Sequence, residues 1–328
     1  MPLLPRGLAV LLGVCLTGVV AASVPAVAAP ADAPDPLATL PTATAHGLLF
    51  PEEAPPGAND WACRPSSAHP EPVVLVHGTF GNSYQAWRYM APEIARAGHC
   101  VFTLNYGAGR GDPVKGTGDI RASARELARF VDHVRDVTGA RQVSIVGHSQ
   151  GGMMPRWYLR REGGADLDDP SRNKVARLVS LAATHHGTSI SGVMTITSAL
   201  GVAPAAGALL GEAVEQQAAG SSFMNELNRE GDTVPGVHYT ALATRYDVVA
   251  TPYQGSFLTA GPGATVRNIL LQDGCPLDLT DHVAITYDPR ALHFVLNALD
   301  PARAATPEGR AAPCPPFAPA GGVPLTQL

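Results

Sequence analysis

No stretch of this sequence gathers basic residues. Its 328 residues carry 23 Lys and Arg against 28 Asp and Glu, a formal net charge of −5. Without a basic stripe, nucleic acid and anionic membrane are poor partners. No pair of cysteines has CxxC spacing, which sets aside a zinc site. Beyond the first 22 residues or so, no apolar run is long enough to span a bilayer. The alanine-rich stretch from Val193 to Ala219 is interrupted by Pro204, several glycines and Glu212.

What is present begins at the N-terminus. Arg6 precedes an apolar run from Leu8 to about Ala22, and small residues end in Ala26-Val27-Ala28. That is the pattern of a secretory signal peptide, residues 1–28, cut after Ala28. The mature chain is therefore expected to be secreted, extracellular and without a transmembrane segment. Cys15 leaves with the signal, and Cys63, Cys100, Cys275 and Cys314 remain. An even count in an exported chain implies two disulfides. Cys63–Cys100 and Cys275–Cys314 are expected, because each pair flanks one end of the region that alternates strands and helices. Each would close a loop of nearly 40 residues, stabilising by about 4 kcal/mol in the chain-entropy model. Residues 29–58 read as a flexible Pro/Ala-rich leader, 59–317 as one domain and 318–328 as a tail.

Within the domain, Pro72 to Val76 is a short, wholly apolar run, as expected of a parallel strand buried on both faces. A helix is predicted from Tyr84 to Ala97 and a strand from Cys100 to Asn105. Ile120, Ala124, Leu127, Val131 and Val134 follow helical spacing, with Asp119 as N-cap. Further strands are predicted at 142–146, 175–182, 237–243 and 266–271, and a last helix at Pro289–Leu299. Strands alternating with helices give a mostly parallel sheet covered on both faces, with ligands beyond the strands' carboxyl ends. The alternation stops between His185 and Pro235. That apolar excursion, about 187–235, is read as a helical lid or cap, since long excursions in compact domains are usually functional.

The densest chemical signal is Val143 to Gly152, a β-branched run leading into Gly147-His148-Ser149-Gln150-Gly151. Gly-x-Ser-x-Gly between a strand and a helix holds a nucleophilic serine on a tight turn. A serine hydroxyl needs a base, and the base an orienting acid. The order here is Ser, then acid, then His. His282 follows the last strand at the sheet's carboxyl end, whereas His293 lies inside a helix and His238 precedes the best acid. Asp166, Asp168 and Asp169 look solvated, and Asp273, Asp278 and Asp281 crowd the base in sequence. Asp247, just past the strand 237–243, is the preferred acid. Oxyanion donors are expected from the backbone N–H of Gln150 and of Thr79 in the loop His77-Gly78-Thr79-Phe80-Gly81, with Phe80 the alternative.

Taken together, His77 to Asn82, Gly147 to Gly152, Tyr246-Asp247 and Asp278 to His282 resemble the secreted bacterial triacylglycerol lipases of the lipase class 2 family, the streptomycete kind. The resemblance runs from about Asp60 to Leu299. It implies an α/β-hydrolase fold, hydrolysis of carboxylic esters of acylglycerols at a lipid–water interface, and Ser149, Asp247 and His282 as the triad. Thr79 and Gln150 would form the oxyanion hole, and no cofactor is implied. Related lipases hold calcium through an aspartate two residues after the catalytic histidine; that position is Ala284 here, so no metal is expected. Esters of other kinds (short acyl esters, polyesters, cutin, phospholipids) are the alternative substrates. A non-catalytic binding protein on the same fold is the distant one.

Overall fold

Six strands form one sheet, every neighbouring pair parallel. They are β1 (Val73–Val76), β2 (Val101–Leu104), β3 (Val143–His148), β4 (Val175–Leu181), β5 (His238–Ala243) and β6 (Thr265–Leu270). Their spatial order is β2-β1-β3-β4-β5-β6. The computed structural model describes residues 36–189 and 211–320. The proposed signal peptide lies outside them, as do residues 190–210.

β1 is buried along its whole length. Val74 and Val76 point into one core with Phe102, Leu127 and Ile145. Val73 and Leu75 point into the other with Trp87, Met90, Ile94 and Val295. A strand's side chains alternate between faces, so a run apolar at every position must be covered twice. The chain runs from β1 outward to β2 and then back across β1 to β3. This reversal opens a crevice between the carboxyl ends of β1 and β3, where such sheets bind ligands.

The first helix, α1 (Leu40–Leu49), occupies part of the stretch expected to be a flexible leader. It is folded onto the domain. Leu40 and Ala43 pack on Val283, Ala284, Tyr287 and Phe317, and the His46 ring stacks on Tyr84 at 4.0 Å. Its inner face is Leu40, Ala43 and Gly47. Leu40 is the one large apolar side chain on that face; Ala43 and Gly47 at i+3 and i+7 give close approach but little hydrophobic signal, so composition alone misreads it.

The helix expected from Tyr84 to Ala97 is two, α2 (Ser83–Trp87) and α3 (Met90–Arg96). Pro92 explains the break: it has no N–H for the carbonyl four residues back, and its ring crowds that carbonyl. α4 (Ile120–Thr138) is as expected, with the Asp119 carboxylate accepting from Ala122 N–H at 2.6 Å and the apolar stripe fully buried. α5 (Gln150–Arg161) follows β3 directly.

The described flanks of the expected lid are tied to this frame. Thr188 N–H donates to the Gln217 carbonyl at 2.9 Å and Ala219 N–H to the Thr188 carbonyl at 3.0 Å, so Thr188 is joined directly to the segment 217–219. α6 (Glu212–Gln217) sits on the start of α4. Gln216 accepts from Ile120 N–H at 2.7 Å and donates to the Asp119 carboxylate at 2.6 Å. After α7 (Ser222–Asn228), the buried Arg156 guanidinium on α5 donates to Asn228 and Asp232. This half of the excursion is a bolted part of the domain.

Cys63–Cys100 and Cys275–Cys314 are both formed, with Cα separations of 5.8 and 5.5 Å. The second bridge and α8 (Pro289–Leu299) hold the C-terminal end of the domain, whose Phe317 is buried and exchanges backbone hydrogen bonds with Leu277 and Leu279. Among the described residues, no helix is long and apolar enough to cross a membrane.

Candidate active site

Ser149 sits between the end of β3 and the start of α5 with φ +55° and ψ −124°. A non-glycine residue there costs about 1–3 kcal/mol and needs a surrounding structure that enforces it. The enforcement is close backbone packing. A Cβ at Gly147 would lie 1.9 Å from the Gly151 carbonyl oxygen, and one at Gly151 would lie 2.2 Å from the Val76 carbonyl oxygen. These two positions therefore admit only glycine. Ser149 N–H is fixed on the Leu181 carbonyl at 2.9 Å.

The structure brings the three residues expected to act with one another into a line. His282 Nε2 is 3.0 Å from Ser149 Oγ, and His282 Nδ1 is 2.9 and 3.1 Å from the two Asp247 oxygens. The tautomer satisfying both contacts has Nδ1–H donating to the carboxylate and Nε2 accepting the serine hydroxyl. All three side chains are buried. Asp247 Oδ1 also accepts from Val249 and Ala250 N–H, each at 2.8 Å. Its aim is set by backbone, and among the described residues no Lys or Arg hydrogen-bonds it.

The loop carrying His282 closes on itself. Asp281 Oδ1 accepts from Val283 and Ala284 N–H, and Asp281 bridges to Tyr246 beside the acid. At its neck lie two buried acids, Asp278 and Asp288. Burial pushes the Asp288 carboxyl up, and the neighbouring Asp278 carboxylate pushes it further, to about 8. Thr280 links the two across the neck, its N–H donating to Asp278 at 2.9 Å and its hydroxyl to Asp288 at 3.1 Å.

Of the expected oxyanion donors, Phe80 is spent: its N–H donates to the Lys115 carbonyl at 2.9 Å. The N–H groups of Thr79 and Gln150 meet no acceptor among the described residues. Both residues are held from behind. Thr79 Oγ1 accepts from Gln217 Nε2 at 2.8 Å, and Gln217 Oε1 accepts from Thr184 at 3.0 Å. The Gln150 side chain accepts from Tyr106 at 2.9 Å and donates to the Gly116 carbonyl at 3.2 Å. Gly78, Thr79, Gln85, Ser149, His282 and Thr286 are among the residues lining the cleft over the serine.

Other histidines surround the site uncharged. Burial pushes His77 down to about 4 and His148 down to about 3, the latter helped by His282. His293 and His238 stand elsewhere: His293 bonds the Gly309 carbonyl and His238 bonds Thr265. Two residues escaped the sequence reading, Gln217 behind Thr79 and His148 beside His282. Nothing local marks Gln217, whereas His148 stands inside the motif itself. Among the described residues, no group of three or more His, Cys, Asp or Glu could hold a metal ion.

Residues 70–289 match the family described as Lipase (class 2). The chain belongs to the class 2 lipase family. This class 2 lipase is 33% identical over 127 residues to a triacylglycerol lipase of Burkholderia plantarii, a match covering 37% of this chain and 33% of that one. It is 33% identical over 92 residues to a triacylglycerol lipase of Pseudarthrobacter phenanthrenivorans, covering 26% and 27%. The chain thus spans about a third or less of these curated relatives. Among solved structures it is similar to lipase B of Aspergillus fumigatus, with a TM-score of 0.61 at 19% identity, covering 84% of this chain and 63% of that one. That likeness agrees with an α/β-hydrolase fold for this class 2 lipase.

Proposed function

We propose that the protein is a secreted serine hydrolase that cleaves carboxylic esters of acylglycerols through an acyl-enzyme on Ser149. The unbroken hydrogen-bonded line Asp247–His282–Ser149 supports this reading most directly. Ser149 Oγ attacks the ester carbonyl while His282 Nε2 takes its proton. Asp247 holds the imidazole in the required tautomer and stabilises the imidazolium. The oxyanion falls to the N–H groups of Thr79 and Gln150, which wait uncommitted. Collapse breaks the ester C–O bond, and His282 returns its proton to the departing alcohol. Water then attacks the acyl-enzyme by the same route and releases the acid. Two disulfides favour an oxidising compartment, in keeping with export.

The test uses the full chain, as secreted, on glycerol esters of increasing acyl length, below and above their solubility limit. Ser149→Ala is expected to lower kcat on the order of 10⁶-fold. Undiminished hydrolysis by that variant would remove Ser149 as nucleophile. Activity confined to short acyl esters would remove acylglycerols as the substrate class.

A further inference from the structure

The triad leaves one side chain of the elbow unexplained. His148 lies between Gly147 and the serine, and its ring lines the cleft. Its Nε2–H donates to the backbone carbonyl of His282 at 2.8 Å, joining positions 134 residues apart. The two rings stand 5.0 Å apart, tilted by 52°. Building on Ser149 and His282 as nucleophile and base, we propose that His148 is a positioning residue, whose N–H holds the base's backbone at the distance from which its imidazole reaches Ser149.

Three observations carry this. Among the described residues, the other backbone and loop ties of this segment lead away from the elbow: Asp281 caps Val283 and Ala284 and bridges to Tyr246, while Asp278, Leu279 and Thr280 are held by Gln272, Phe317, Thr244 and Asp288. The tie from His148 joins that loop to the elbow, so it sets the gap across which the proton moves. Backbone strain at Ser149 fixes one side of the gap, and His148 is the neighbour of that fixed point. A carbonyl takes only a donor, and a donor here must carry no charge. His282 becomes cationic during each half-reaction, and a second cation 5.0 Å away would oppose it. His148 meets that demand, since burial keeps it neutral to about pH 3. The ionisable groups facing it are His282 and His77, and His77 is itself held neutral by burial.

The experiment compares His148→Phe, His148→Gln and His148→Lys in the full chain, alongside Ser149→Ala. An error of about 1 Å in a catalytic group costs around 10²-fold. His148→Phe, which loses the donor, is expected to lower kcat about 10- to 100-fold with KM within twofold and the melting temperature little changed. His148→Gln, an uncharged donor, should recover most of that loss. His148→Lys should shift the acid limb of kcat/KM to lower pH, because a cation beside His282 disfavours its protonation. Should His148→Phe not fold, His148→Met makes the same comparison. Wild-type kcat in the donorless variant, a change in KM alone, or no recovery by Gln would each overturn the proposal. An active Ser149→Ala would instead overturn the reading of the nucleophile beneath it.

Discussion

Among the described residues two Asp–His pairs stand at similar distance, 2.9 Å for Asp247–His282 and 3.1 Å for Asp232–His186. Their surroundings give them opposite chemistry. Asp247 accepts two backbone N–H bonds, and its histidine turns its second nitrogen to a hydroxyl. Asp232 has a permanent cation, Arg156, and its histidine turns its second nitrogen to the Gly255 carbonyl. With an acceptor on each nitrogen, His186 is held as an imidazolium. The hydrogen bond to Asp232 raises its affinity for the proton, against the pull of burial. Burial pushes the Asp232 carboxyl up, but His186, Arg156 and the Thr259 N–H outweigh it and bring it down to about 2. A pair whose charges are already balanced is a fastener. A pair that gains its balance only when a serine gives up a proton is what the proposed mechanism requires of a catalyst.

The largest break of this contrast is Asp247→Asn, expected to lower kcat about 10⁴-fold while leaving the melting temperature nearly unchanged. Next comes Arg156→Met, read by denaturant titration. Removing one partner of a buried ion pair costs about 3–5 kcal/mol, and this cation also ties α5 to residues 185, 228 and 231–232. Activity per folded molecule should hardly move. Equal damage to kcat would erase the distinction between the two pairs.

A subtler effect is the pH window of the fastener. Asp232 is lowered, so its contribution is present above the ordinary carboxyl value of 3.8 and lost as pH falls toward 2. His186 is raised, so its contribution is present below 6.5 and lost as pH rises through its folded value. The stability difference between wild type and Asp232→Asn should therefore peak between about pH 4 and 6.5; a flat difference would contradict the balanced-charge account. Smallest is the effect of Asp278→Asn at the neck of the base's loop. Asp288 is raised, so wild-type stability declines as pH climbs from 3.8 through about 8. Replacing its charged neighbour by a neutral amide should reduce that alkaline decline in melts at pH 5 and 9.

Much of the frame was legible because its causes are local. The apolar β1 run, the α4 stripe with its Asp119 cap, and the glycines around Ser149 state their geometry within a few residues. Chain order, together with placement just past strand ends, then singled out Asp247 and His282. α1 was missed because a helix that docks through Leu40, Ala43 and Gly47 buries too little apolar surface to leave a periodic mark. The break before α3 follows from Pro92, whose missing N–H and ring disrupt the turn before it, a signal the prediction of one helix from Tyr84 to Ala97 did not use. Phe80 could not be separated from Thr79 without seeing the Lys115 carbonyl that takes its N–H.

By itself, the sequence determined the strained turn, the alternation that builds a doubly covered parallel sheet, and the residue types able to form a nucleophile, a base and an acid. Those follow from sterics and burial acting over short stretches of chain. Only the tertiary structure decided which Asp–His pair stands on a hydroxyl and which on a buried guanidinium. It alone also decided which N–H groups stay uncommitted and which histidine bonds the His282 carbonyl. Each of these depends on partners from 35 to 134 residues apart, brought together by packing that no local pattern encodes.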